Sequence, residues 1–166
     1  PPDASAVLQG DATRRWIAAL SARTPAPLQQ AAAAATEADW SGVDRAVSAA
    51  DAHDPIAQAL RGIARLGLAD YDAAATALRV YTASNPTDAV AAFVLGWAHV
   101  GSGNDRAAVA AFRSAVVGNP QFVPAYLAAI DTYVRMGQPA LALQVARSGL
   151  TANPGSTEIR DRLLRL

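Results

Sequence analysis

Asp51-Ala52-His53-Asp54 puts three potential metal ligands into one short segment. A zinc site needs three or four ligands converging on one point. No second cluster stands elsewhere to complete it, and the chain has no Cys and only two His. The segment therefore reads as a helix-terminal turn with capping aspartates. His99, the other His, lies inside an apolar stretch of helical period and reads as a packed structural residue. Gly101-Ser102-Gly103 begins like a dinucleotide-binding loop, but Arg106 occupies the place of the third glycine and no strand precedes it. Asp70 and Asp72 sit at a helix start, where Asp caps the helix or complements its dipole. There is no phosphate loop and no Gly-x-Ser-x-Gly elbow. These residues predict no cofactor, no metal and no catalytic constellation, and so no enzyme.

Composition narrows the function classes. The 166 residues suit one domain that buries roughly 70% of the surface of its unfolded chain. Hydrophobic residues make up 52%, but Ala alone supplies about a quarter of the chain, so the excess is in small residues. Charged residues are 17%, below the typical ~25%, and they balance to zero. Every cation is Arg; Lys is absent. Richness in Ala, Arg, Gly and Pro reads as a high-GC coding bias and a bacterial source. The neutral balance argues against nucleic acid, which needs a basic stripe. No apolar run approaches the ~18 residues of a membrane span. The expectation is a soluble protein of the bacterial cytoplasm or periplasm. A start at Pro-Pro instead of Met reads as a mature chain or an excised piece.

The elements that position these residues recur. Asn85-Pro86, Asn119-Pro120 and Asn153-Pro154 stand 34 residues apart. A fourth copy is read at Asp54-Pro55, 31 residues before Pro86, because Trp40 to Pro55 and Tyr71 to Pro86 are equal intervals. Each copy has two apolar-periodic segments with a break between them. Val90, Phe93, Val94 and Trp97 mark the first segment of one copy, and Val109, Phe112, Val116 and Val117 mark its second. Between them Gly101 to Asp105 offers a glycine to end one helix and Asn104 or Asp105 to cap the next. The residue before each proline is pushed out of the α region, so Asn-Pro ends a hairpin.

This pattern resembles the tetratricopeptide repeat, a 34-residue helix–turn–helix unit. Leu95, Gly96, Ala108, Phe112, Ala115 and Pro120 fill that family's slots, with His99 where its Tyr stands. Tyr126, Tyr133, Ala142 and Pro154 match in the next copy, and Gly62, Ala74, Leu78 and Pro86 in the preceding one. The resemblance implies an all-α, right-handed superhelical solenoid of about four hairpins with helical caps. The expected divisions are a linker over 1–10, an N-terminal helix or degenerate half-repeat over 11–23, and repeats over 24–54, 55–88, 89–122 and 123–155. A capping helix over 156–166 follows.

In that family the first helix of each hairpin lines a concave face that takes partners. The matching slots are Ile56, Ala59, Ile63 and Leu66, then Val90, Phe93, Trp97 and Val100, then Leu127, Asp131, Val134 and Arg135. Most are apolar, and an exposed apolar row marks a binding surface. Two occupants follow: an apolar or amphipathic segment of another protein, or the chain's own N-terminal segment or a second copy as in a homo-dimer. Repeats that clamp the acidic tails of heat-shock chaperones resemble one another in Lys, Asn and Arg on this face. Here Phe93, Val94 and Trp97 fill those slots, which argues against a clamp.

Overall fold

A computed structural model describes residues 3–166. Its helices are α1 (Ala4–Gln9), α2 (Asp11–Arg23), α3 (Gln29–Thr36), α4 (Trp40–Val47), α5 (Pro55–Gly67), α6 (Tyr71–Ser84), α7 (Ala89–Gly101), α8 (Asp105–Gly118), α9 (Val123–Arg135), α10 (Pro139–Ala152) and α11 (Thr157–Leu164). A 3₁₀ turn at Ala26–Leu28 leads into α3. Each hairpin packs its two helices together, and its second helix packs on the first helix of the next. The result is the all-α right-handed solenoid that the repeat predicts. The first helices form the inner layer and the second helices the outer one.

The period is kept in the helix starts. Pro55, Ala89, Val123 and Thr157 open α5, α7, α9 and α11 at intervals of 34, and Tyr71, Asp105 and Pro139 open α6, α8 and α10 likewise. This corrects the alignment at Asp54-Pro55. Pro55 is the first residue of α5, and Asp54 caps it by accepting from the Ile56 and Ala57 amides. Pro86 instead lies in a loop before α7. The counterpart of Asp54 is Asp88, which caps α7 through the Ala91 amide. The interval is 31 and not 34 because Pro86 stands three residues before Ala89, the residue that matches Pro55. Two of the Asn residues close their helices as donors: Asn85 Nδ2 binds the Tyr81 carbonyl at 3.0 Å and Asn153 Nδ2 the Gly149 carbonyl at 3.2 Å, whereas Asn119 Oδ1 accepts from the Gln121 amide at 3.0 Å.

The turn inside each hairpin also repeats. Ala38, Ala69, Gly103 and Gly137 take positive φ, near 59°, 59°, 75° and 69°. Each ends a first helix in a Schellman motif. The Asp70 amide reaches the Arg65 carbonyl at 2.8 Å and the Asn104 amide reaches that of His99 at 2.9 Å. Gly adopts this conformation freely, whereas Ala brings its Cβ against the carbonyl at a cost of about 1–2 kcal/mol. Ala69→Gly is therefore expected to stabilise the protein by about 1 kcal/mol. Urea unfolding should show a higher midpoint at unchanged slope.

The interhelical approach inside a hairpin rests on glycine too. A Cβ on Gly96 would stand 2.3 Å from the Phe112 ring, and one on Gly62 2.5 Å from Leu78. One continuous cluster of buried side chains runs from Leu8 to Ala129. A smaller one joins Tyr126, Ile130, Ala142, Ala146 and Ile159 at the C-terminal end. The linker expected over 1–10 is corrected for residues 4–9, which form α1 and bury Leu8 at 2% exposure. Leu8 belongs to the continuous core cluster; residues 1 and 2 lie outside the described residues.

Candidate functional site

The inner face divides into a covered half and an open half. α1 packs against α5 and α7, and α2 packs against α3 and α7. Ala59, Ile63 and Leu66 are fully buried in the core that these helices share, and Phe93 is 8% exposed. The expectation that these four form an exposed apolar row is corrected: the chain's own N-terminal helices accompany them in one core. Ile56 and Val90 are half-buried against the same core.

Asp88 holds that arrangement. Its Oδ1 caps α7, while its Oδ2 accepts from Trp16 Nε1 on α2 at 2.8 Å and from the Tyr81 hydroxyl at 2.9 Å. Trp16 and Tyr81 also meet edge to face at 5.8 Å. Burial raises the Tyr81 phenol above its ordinary pKa, and the Asp88 charge adds to the rise, so Tyr81 stays a donor. Thr24 closes α2 by donating to the Leu20 carbonyl at 2.8 Å. Gly10 takes the capping position at the start of α2 without a side-chain bond, and Asp11 lies in the first turn.

Trp97 lies next to the covered half and is half-buried. It meets Phe93 at 6.2 Å and Phe112 at 5.7 Å, and Phe93 also contacts Phe122 at 5.2 Å. Phe122 stands at the N-cap of α9, where the equivalent Asp54, Asp88 and Ser156 carry capping bonds and Phe122 carries none. An N-cap bond worth about 1 kcal/mol is exchanged there for burial of an aromatic ring. The indole Nε1 of Trp97 is enclosed without a hydrogen-bond partner among the described residues.

The open half is carried by α9 and the end of α7. Val100 and Leu127 are half-buried, and Val134 is 48% exposed. The two charged slots are engaged within the chain. Asp131 accepts from Arg162 of α11 at 2.9 Å. Arg135 grips Asp105 with two bonds of 3.1 and 2.6 Å. That pair fills a place occupied differently in earlier repeats. Gly67 sits against Trp40 and Gly101 against Tyr71, so closely that a Cβ on either glycine would overlap the ring.

The side chains around His53 are spent on the turn and on the next helix. His53 Nδ1 lies 3.2 Å from Asp51 Oδ1, both are exposed, and Asp54 is committed to α5. No group of three or more potential ligands occurs among the described residues. Burial lowers the pKa of His99, Arg79 lowers it further, and Asp72 opposes. The unfolded chain, with His near 6.5, thus binds the proton more readily than the native state. Stability from neutral His99 is complete above that value and is lost as pH falls through the depressed native one. The urea midpoint should drop between pH 7.5 and pH 5, and His99→Gln should remove this residue's share of the drop.

Residues 123–166 match the family described as "Tetratricopeptide repeat". No curated protein sequence matches the chain. Among solved structures, one titled "Crystal structure of MamA" superposes with a TM-score of 0.70 at 21% identity, covering 80% of this chain and 80% of that one. Another MamA structure gives 0.71 at 19% identity, covering 88% and 80%. A thermophilic tetratricopeptide-repeat protein of Thermus thermophilus, TTC0263, gives 0.57 at 20% identity, covering 84% and 78%. These likenesses concern the fold.

Proposed function

We propose that this tetratricopeptide-repeat protein is a non-catalytic scaffold, and that the open half of its inner face takes an apolar or amphipathic segment of another protein. Tetratricopeptide repeats are protein-interaction modules in general, which is the broad part of the reading. The observation that carries the specific part is Val134. It is a large apolar side chain left exposed on the inner helix α9, on the same side as Leu127. The segment would lie along Val100, Leu127 and Val134. Asp131 and Arg135 would border it as ion pairs already formed, not as free anchors. No helix among the described residues is long and apolar enough to cross a membrane.

A second copy of the chain is the other occupant of this face. The packing of α1 on α5 and of α1 and α2 on α7 favours it, since the face already accepts helices. One pair of proteins tests both readings, the wild type and Val134→Glu, an exposed substitution that leaves the core intact. Co-purified partners lost from the variant support the first reading. Light scattering that gives a wild-type dimer and a monomeric variant supports the second. Equal partner sets and equal masses would remove the inner face from the function.

A further inference from the structure

Arg79, Arg113 and Arg147 recur at the 34-residue period, each at the ninth position of α6, α8 and α10. All three are exposed. Equivalent positions on successive outer helices place them in one line along the outer face. Among the described residues none of their side chains makes a hydrogen bond or ion pair, whereas Arg65, Arg135 and Arg162 all do. On α6 an opposite charge, Asp72, lies two turns before Arg79 on the same side of the helix. Arg113 lacks this counterpart. The place of Asp72 is taken by Arg106 on α8 and Ala140 on α10, and Asp105 is engaged with Arg135.

Arg113 also borders a cleft of about 290 Å³ between α8, α9 and α10. Val116, Tyr126 and Leu141 give it apolar walls, and Gln144 and Ser148 stand with Arg113 as its polar groups. Tyr126 is 6% exposed, and its hydroxyl has no partner among the described residues. Leu141, at 40% exposure, is an apolar side chain with open surface. The cleft thus combines apolar walls with an uncompensated cation at its border.

We propose that this outer cleft is a second interaction site for an acidic protein segment. One apolar or aromatic side chain of the segment seats between α8 and α10, and its carboxylates meet Arg113 and Arg147. Carboxylate matches the planar two-pronged guanidinium. Nucleic acid fits poorly, because its affinity comes from many neutralised phosphates and this chain has no net charge. A bilayer fits poorly too. Three arginines near an anionic leaflet are worth about 1 kcal/mol each, and a headgroup has nothing to fill an apolar cleft.

The probe is the blocked peptide EEFEEL, titrated into the uniformly ¹⁵N-labelled protein and followed by amide chemical shifts. Saturable shifts are expected at Val116, Gln144 and Ser148. Arg113→Glu, an exposed change checked by circular dichroism, should weaken binding at least tenfold, and the peptide EESEES should bind more weakly to the wild type. Val134→Glu should leave the titration unchanged, which separates this site from the inner face. Three results would overturn the proposal: shifts centred on α9 around Val134, equal binding by Arg113→Glu, or no response to the peptide, with or without binding to vesicles containing 30% phosphatidylserine.

Discussion

Phe112→Ala is expected to cost about 3–5 kcal/mol of stability, the range for removing a fully buried aromatic ring. Phe112 has no exposed surface. It fills the space Gly96 leaves, and it touches both Phe93 and Trp97. Its loss opens a cavity where α7, α8 and the start of α9 meet. Domains of this kind are stable by about 5–15 kcal/mol, so the loss is a large share. In a solenoid, stability passes between neighbouring repeats. The variant should therefore unfold in two steps, with the α3–α6 side and the α9–α11 side separating. Urea melts followed by circular dichroism check both the size and the shape. A single transition lowered by less than about 1 kcal/mol, against the range for such a deletion, would mean that the aromatic cluster does not join the two sides.

Trp16→Ala should have an effect of similar size and a different character. Deleting a buried Trp costs about 3–5 kcal/mol, and here the bond to Asp88 goes with it. The loss falls on the attachment of α1 and α2, not on the stacked hairpins. Limited proteolysis should cut between α2 and α3 early, while the rest of the chain keeps its helicity. Leu8, Ile17 and Leu20, buried in the same core, would then meet solvent, and binding of a hydrophobic dye should rise. Asp88→Asn leaves one acceptor oxygen where two are in use, so its NH2 meets either the Ala91 amide or the Trp16 indole, and it should loosen the same attachment to a smaller degree. Resistance of Trp16→Ala to protease at the wild-type level would show that the N-terminal helices are held by something other than this anchor.

Local signals were legible in the sequence because they act over a few residues. Asn104 caps α8 as its position after Gly103 predicts, and Gly103 takes the left-handed turn. The 34-residue period set the stack. Two things were hidden. The equal intervals at Trp40–Pro55 and Tyr71–Pro86 suggested equal roles, but proline can open a helix as readily as follow one. Reading the period through Asp54, Asp88 and Ser156 gives the helix starts directly, and the same period through Gly103 and Gly137 points to Ala69 as a left-handed residue. The covering of the inner face was the harder matter. Trp16 and Asp88 are 72 positions apart, and no local pattern pairs an indole with a particular helix cap. The apolar slots Ile63 and Leu66 looked like a partner's surface because an inner face covered by its own chain has the same composition as one awaiting a ligand.

The joints between hairpins are of two materials. At Gly67 against Trp40 and Gly101 against Tyr71, a ring lies on bare backbone, a contact of shape that dissolved ions do not reach. At Arg135 against Asp105 the joint is an ion pair with the Arg side chain 46% exposed, and salt screens such a pair. The solenoid is therefore a spring with graded stiffness. Its first joint adds an Arg65–Asp44 pair to the ring contact and gives a little with salt, while the last turn, carrying the face around Val134, yields most as ionic strength rises.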